Sequence, residues 1–89
     1  RRGRISTAHM LGDHEGEVLE FEVPPDPENS KLLSTPLKDL DFPRDSLVGG
    51  VIRGEKVFIP DGDTIFIAGD TLLVVALPSA LVAVEKLLQ

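Results

Sequence analysis

Residues 46–77 read SLVGGVIRGEKVFIPDGDTIFIAGDTLLVVAL and contain most of the strand-forming side chains of this 89-residue chain. Apolar runs alternate there with short segments rich in glycine and aspartate, which are typical of tight turns between strands. We therefore predict that an antiparallel sheet is built around this stretch, and that the other elements pack against it.

Leu47–Arg53 is the first strand of the stretch and is almost entirely apolar. Such a run is expected of a strand that is covered on both faces. Gly49 and Gly50 interrupt it, which indicates a bulge or the close approach of another backbone or a ligand. Gly54 can adopt a positive φ in the following turn, so Val57–Ile59 should return as the second arm of a hairpin.

Two further turns complete the central stretch. Pro60–Asp63 and Ala68–Asp70 are turn segments, and they flank a short apolar element at Thr64–Ile67. Thr71–Leu77 follows as a second buried strand, because six of its residues form a continuous apolar run.

The chain closes with a predicted helix that begins at Pro78 and Ser79. Proline is tolerated in the first turn of a helix, and a serine hydroxyl can accept a hydrogen bond from a free backbone N–H there. The apolar positions that follow are spaced i, i+3, i+7: Leu81, Val84 and Leu88. This spacing predicts an amphipathic helix that packs on the sheet.

Glu15–Val23 precedes the central stretch and alternates apolar residues with glutamates, so it predicts a strand with one buried face. Lys31–Leu33 is expected to be briefly extended. Thr35 as N-cap and Pro36 at the first helical position predict one helical turn at Leu37–Leu40. Together the elements predict an α+β domain: a small antiparallel β-sheet with a short helical turn and a C-terminal packing helix.

Residues 1–14 are predicted to be a linker or tail, and residues 15–89 to be the folded domain. Two alternatives stay open for Arg1–Gly12: the end of a helix that stops at Gly12, or a disordered terminus. The chain begins without methionine, and we expect it to be a fragment of a longer protein.

The composition argues against several classes of protein. The net charge is -6, the only basic cluster is at residues 1–4, and tryptophan and tyrosine are absent, so we expect no nucleic-acid binding. No run reaches the roughly 18–20 apolar residues of a membrane helix, and no signal peptide is visible, so we expect a soluble cytoplasmic domain without membrane insertion. A cysteine-free domain of this size has a marginal core, which favours association with a second copy or other domains.

Asp61, Asp63 and Asp70 are the residues of the central stretch that could collect a divalent cation. The spacing of an EF-hand is absent, and turn geometry alone explains aspartates at these positions. His9 and His14 are five residues apart and are expected to be solvated. No nucleophile elbow or dinucleotide fingerprint occurs, so we predict no catalytic residues, no metal and no cofactor. The alternative function is a small metal-dependent hydrolase that uses the three aspartates.

Gly50, Val51, Ile52 and Arg53 form the candidate ligand-contact segment. Glycine lets a ligand approach the backbone, isoleucine offers an apolar wall, and arginine offers a hydrogen-bonding fork for phosphate. The residues alone favour a plainer interpretation, which is a sheet bulge followed by a surface arginine.

A set of turn and strand signatures occurs in a fixed order along Gly16–Leu88. The signatures are Thr35-Pro36-Leu37-Lys38-Asp39-Leu40, Pro43, Asp45, Gly49-Gly50-Val51-Ile52-Arg53-Gly54, Ile59-Pro60, Gly62-Asp63-Thr64, Ala68-Gly69-Asp70, and the Leu72–Ala76 strand with its closing helix. In this order and spacing the chain resembles the TrkA C-terminal domain, also called the RCK C-terminal domain.

The resemblance implies an α+β fold, a homodimer and a non-catalytic regulatory role in potassium uptake systems, potassium channels or cation/proton antiporters. It implies as partners a membrane transporter or channel and a Rossmann-type nucleotide-binding domain, which residues 1–12 would join to this one. In some family members the dimer cleft binds cyclic di-AMP, and others bind different small effectors. Val51, Ile52 and Arg53 lie where cleft residues of the family would be expected.

Overall fold

The computed structural model describes residues 4–10, 16–25 and 30–88. The strands are β1 (Arg4–Met10), β2 (Glu17–Glu22), β3 (Ser46–Arg53), β4 (Lys56–Phe58) and β5 (Thr71–Ala76). The α-helices are α1 (Ser30–Ser34) and α2 (Leu81–Leu88), and single 3-10 turns occupy Leu37–Asp39 and Pro78–Ala80. The predicted α+β architecture, with an antiparallel sheet, a short helical turn and a C-terminal helix, is confirmed.

The five described strands form one antiparallel sheet in the order β1-β2-β5-β3-β4. The last strand in sequence, β5, lies at the centre, so the sheet is completed only when residues 71–76 insert between β2 and β3. Val48 pairs with Val74 and Gly50 pairs with Leu73, which leaves Gly49 as an extra residue in β3. This confirms the predicted bulge.

One face of the sheet carries the core. Alternate residues of the three central strands are buried on this covered face, and α2 and the loop before β5 close over it. The core side chains include Leu19, Phe21, Val51, Phe66, Leu72, Val74, Val84 and Leu88. Val84 and Leu88 are buried and Leu81 packs beside them, so the predicted amphipathic helix is confirmed.

The opposite face is called the open face here. Glu20, Glu22 and Thr71 lie on this face. Its remaining strand residues likewise alternate with the core residues: Val18, Leu47, Gly50, Ile52, Val57, Leu73 and Val75. Leu47 has 56% of its surface exposed, and none of these seven belongs to the core cluster. The prediction that Leu47–Arg53 is covered on both faces is therefore wrong. An apolar run in the sequence does not show whether another element packs on each face of the strand.

The N-terminal segment differs from both predicted alternatives. Arg4–Met10 is neither the end of a helix nor disordered but an edge strand, because its backbone pairs with β2 from Arg4↔Glu22 to Met10↔Glu17. The predicted strand at Glu15–Val23 is confirmed as β2. The domain boundary predicted after residue 14, and His14 itself, lie outside the described residues.

Two local predictions before β3 need correction. Lys31–Leu33 is helical rather than extended, since one helical turn lets the neighbouring Leu32 and Leu33 both contact the core. The helical turn after Pro36 exists, but it is a 3-10 turn without a side-chain cap. Loop carbonyls satisfy its free donors instead: the N–H of Leu37 donates to Thr64 and that of Lys38 to Gly62, both at 2.9 Å.

Two further predictions of this kind are also wrong. Ser79 does not cap the final helix, since its hydroxyl donates instead to Asp45 Oδ2 at 2.9 Å. Thr64–Ile67 forms no regular element. Phe66 nevertheless anchors this loop because its side chain is fully buried in the core.

Candidate functional site

The β3–β4 hairpin carries the predicted ligand-contact segment. Its strands pair through Val51↔Phe58, Ile52↔Val57 and Arg53↔Lys56. Gly54 in the turn has a φ of 62°, a conformation that glycine adopts without a steric penalty. The predicted hairpin and the predicted role of Gly54 are both confirmed.

The four predicted contact residues do not share one surface. Gly50 and Ile52 belong to the open face, whereas Val51 is fully buried in the core. Arg53 extends on the core side towards Asp70 at the start of β5. Only Gly50 and Ile52 could therefore contact one ligand on the open face, and ligand contact by this segment stays a prediction.

Arg53 makes a two-pronged ion pair with Asp70. Its Nε donates to Oδ1 of Asp70 at 2.9 Å, and its Nη2 donates to Oδ2 at 2.8 Å and to the carbonyl of Ile65 at 3.1 Å. The backbone N–H of Ile67 donates to the same Oδ2 at 2.9 Å. The Asp70 side chain is completely buried, while that of Arg53 is 34% exposed. The pair thus fastens the 65–70 loop to the hairpin.

Electrostatics favour this pairing over a free arginine. A buried carboxylate is strongly destabilising unless charged and hydrogen-bonded groups compensate for its lost hydration. The hydrogen bonds that Arg53 donates to Asp70 raise the pKa of the Arg53 guanidinium above its ordinary value, although burial opposes the shift. The guanidinium also lies 5.0 Å from the centre of the Phe58 ring. Asp70 therefore already pairs with the positive charge of Arg53 and with one edge of the guanidinium that was predicted to bind phosphate.

Sequence reasoning missed the structural role of Asp70. It was interpreted as a turn residue, and the sequence gives no local sign that an arginine 17 positions earlier will bond to it. The pairing depends on β5 lying beside β3, so only the sheet topology brings the two residues together.

The three aspartates of the alternative metal site do not converge on one point, because each carboxylate contacts a different group. Asp61 Oδ1 accepts a hydrogen bond from the N–H of Asp63 at 2.9 Å, while the Asp63 carboxylate contacts Lys38 Nζ at 2.9 Å. Asp70 is bound to Arg53. Within residues 4–10, 16–25 and 30–88, no three His, Cys, Asp or Glu side chains are arranged to hold a metal ion.

A shallow groove of about 300 Å³ lies at one end of the open face, where sequence reasoning had placed no site. It is lined by Asp45, Ser46, Leu47, Val75 and Leu77. Asp45 has a φ of 69°, and its carbonyl accepts a hydrogen bond from the N–H of Leu77 at 2.9 Å. This bond joins the start of β3 to the end of β5 and shapes the groove wall.

Among the helices of the described residues, none is long and apolar enough to span a membrane.

Comparison with known proteins connects this architecture to a family. A family model described as the TrkA-C domain matches residues 18–89. A Trk system potassium uptake protein TrkA of Azorhizobium caulinodans is 39% identical over 87 residues, which is 98% of this chain. A homolog of that protein from Archaeoglobus fulgidus is 40% identical over 77 residues, or 85% of the chain.

The match covers only part of each relative. The chain spans 18% of the Azorhizobium protein and 16% of the Archaeoglobus protein. A third relative, a Trk system potassium uptake protein TrkA of Halomonas elongata, is 30% identical over the whole chain, which spans 20% of that protein. The family model covers β2 to α2, the same segment that carries the sheet, the hairpin and the closing helix. The chain therefore belongs to the TrkA-C domain family.

Proposed function

We propose that this chain is a non-catalytic, cytoplasmic regulatory module of a potassium or other cation transport system. The observation that carries the proposal is the match to the TrkA-C domain over residues 18–89, together with relatives named as Trk potassium uptake proteins. The module would act as a homodimer, with a Rossmann-type nucleotide-binding domain and a membrane transporter or channel as its partners.

The polar contacts of the domain support a non-catalytic role. The buried carboxylate of Asp70 is bound to Arg53, and the exposed Asp63 is bound to Lys38. A general acid or base needs a group that is free to exchange a proton with a substrate. The Arg53–Asp70 pair instead ties a loop to the sheet, and the Lys38–Asp63 pair ties a 3-10 turn to a loop, which suits a module that transmits position.

Regulation follows from linkage between two sites. A ligand shifts an equilibrium between two arrangements of a dimer only to the extent that it binds one arrangement more tightly. An effector held between two copies would favour one relative orientation, and the attached transporter would respond to that orientation. The open face near Gly50 and Ile52 supplies the surface for such an effector, and cyclic di-AMP is the first candidate.

Effector binding is tested by isothermal titration calorimetry of the chain with cyclic di-AMP, ATP and ADP. We expect one of these ligands to bind with one molecule per two chains, and replacement of Ile52 by aspartate to abolish the heat of binding. If none of the ligands binds, effector sensing by this domain is wrong, and only a structural role in dimerisation remains.

The regulatory role is tested by a domain exchange. The TrkA-C domain of a bacterial potassium uptake regulator is replaced by residues 16–89, and rubidium uptake is measured in cells that depend on that regulator. We expect uptake to be restored relative to cells that carry the truncated regulator. Uptake no better than with the truncation, despite normal protein levels, would argue against a role in cation transport.

A further inference from the structure

The first half of β3 has a neighbouring strand on one side only. The strand runs over Ser46–Arg53, but β4 pairs only with its residues 51–53. After Phe58 the chain leaves the sheet, and Pro60 has no N–H with which to continue a ladder. Residues 46–50 therefore border β5 on one side and no described strand on the other. The outer edge of residues 46–50 is called the notch here.

The register of the sheet shows which backbone groups face the notch. The N–H of Leu77 donates to the carbonyl of Asp45 at 2.9 Å, and these two residues lie opposite each other, one position beyond Ser46↔Ala76. Opposite residues of an antiparallel ladder alternate between hydrogen-bonded and non-hydrogen-bonded pairs. Ser46 and Val48 therefore form non-hydrogen-bonded pairs with β5, so their N–H and C=O groups point into the notch.

The hairpin supports this assignment from the other end of β3. A tight turn commonly joins residues i and i+3 by a hydrogen bond, so Arg53 and Lys56 form a hydrogen-bonded pair, and Val51 forms the next one with β4. The extra residue Gly49 keeps the backbone groups of Val48 on the same outward side as those of Val51. The strand β4 thus satisfies the outward groups of Val51 but ends before it reaches those of Val48.

The outward groups of Ser46 and Val48 have no partner within the described part of the chain. The backbone hydrogen bonds between loops and strands include none from these groups, and the Ser46 hydroxyl donates to the carbonyl of Pro43 without involving them. Only 8% of the surface of Val48 is exposed. Backbone groups with so little access to water are normally paired, so the notch is a place where an added hydrogen-bonding partner would be favourable.

The side chains beside the notch indicate what such a partner carries. Leu47 and Val57 on the open face are 56% and 71% exposed, and Ile59 beyond the end of β4 is 84% exposed. Gly49 leaves open space on the same face, since a Cβ there would point towards Leu47 and Val75. A neighbouring strand with large apolar side chains on this face would pack against these residues.

Backbone chemistry and charge narrow the class of partner. Donors and acceptors that alternate along a strand edge fit another extended backbone, which is the basis of recognition by strand addition. The net charge of -6 attracts a segment with basic residues at its ends. A second copy of the chain would bring the same negative charge to the edge, so a different protein fits the notch better.

We propose that the notch beside Ser46 and Val48 binds an extended segment of another protein as an added strand, in line with β4. The segment is apolar at alternate positions and has lysine or arginine at its ends. Residues 46–50 span roughly 16 Å at about 3.3 Å per residue, so the contact is short and the complex is reversible. The inference is independent of the proposed homodimer, because the hydrogen bonds lie in the plane of the sheet.

Amide hydrogen exchange of the whole chain, followed by NMR, tests the site. The probe is an acetylated and amidated peptide of sequence Lys-Thr-Phe-Thr-Val-Lys. Without peptide, the amides of Ser46 and Val48 should exchange faster than that of Leu47, which donates to β5. Saturating peptide should slow Ser46 and Val48 by at least about tenfold and leave Leu47 unchanged. Unchanged exchange at Ser46 and Val48, or slowing confined to β1, would overturn the proposal.

A matched peptide tests the role of the backbone. The same peptide, N-methylated at all its central residues, keeps its side chains but cannot donate hydrogen bonds to the notch. We expect it to leave the exchange of Ser46 and Val48 unchanged. Equal protection by both peptides would mean attachment through side chains alone and would contradict strand addition.

A matched pair of chain variants tests the location. Gly49→Lys places a bulky positive charge beside the notch, where the contact of 3.4 Å with the Leu47 side chain can adjust, and should raise the peptide dissociation constant by about tenfold. Val82→Lys is the control, since Val82 is 65% exposed on α2. Equal affinities would place the peptide elsewhere. If Ser46 and Val48 become protected without peptide as the chain is concentrated, a second copy fills the notch and the assignment to another protein is wrong.

Discussion

The two faces of the sheet carry similar side chains and differ in what lies over them. On β3, Val51 is fully buried under the loop and helix that close the covered face, whereas Leu47 on the open face is largely exposed. The same short strand therefore contributes to the stability of the monomer on one side and offers a contact surface on the other. Substitutions on the two faces should accordingly change different measurements.

The largest expected effect is on the covered face at Phe66. Phe66→Ala would leave a cavity under the 64–70 loop, and we expect a loss of about 3–5 kcal/mol in the free energy of unfolding. The neighbouring Ile65→Ala, at an exposed position, should change it by less than about 1 kcal/mol. Urea denaturation followed by circular dichroism measures both. Comparable losses in the two variants would mean that the loop is not anchored through Phe66.

The buried ion pair should have the next largest effect. Asp70→Asn removes the charge that compensates Arg53 and weakens several hydrogen bonds, so we expect a loss of about 2–4 kcal/mol in unfolding free energy. Asp63→Asn is the matched control, because its pair with Lys38 is exposed and should contribute about 0–1 kcal/mol. The proposal that Asp70 fastens the loop fails if both variants unfold at the same urea concentration.

A smaller effect should separate the faces on the hairpin itself. Val51→Ala removes two buried methyl groups, and we expect a loss of about 2 kcal/mol in the stability of the monomer. Val57→Ala should change it by no more than about 0.5 kcal/mol, because that side chain is exposed in the monomer. The measurement is made at protein concentrations below the dimer dissociation constant. A stabilising or neutral Val51→Ala would contradict the assignment of the two faces.

Much of the covered face could be predicted from the sequence, because alternation decides which residues of a strand point the same way. Leu19, Phe21 and Val23 were assigned to one buried face, and all three are buried. The helical spacing of Val84 and Leu88 was equally informative. Whether anything covers the open face could not be predicted. An apolar strand has the same sequence whether a helix, a partner molecule or water lies against it.

The candidate site was predicted less completely, because its contacts join distant parts of the chain. Gly54 was correctly placed in its turn by local chemistry alone. The pair between Arg53 and Asp70 depends on β5 lying next to β3, and β1 was missed because nothing in its own sequence shows that it pairs with β2. Local sequence patterns identified the turn, whereas contacts between residues far apart in the sequence decided which polar side chains were already bound within the domain.

The bulge at Gly49 also affects how related chains should be compared. Val48 and Val51 are three positions apart, so in an uninterrupted strand they would point in opposite directions, yet both lie in the core here. Because Gly49 is an extra residue without a partner on β5, the residues on either side of it continue the same alternation between the two faces. Deleting Gly49 should therefore preserve the inward and outward assignments on both sides. A relative that lacks this glycine should be aligned with a one-residue gap at this position, because an ungapped alignment would exchange the two faces of the strand.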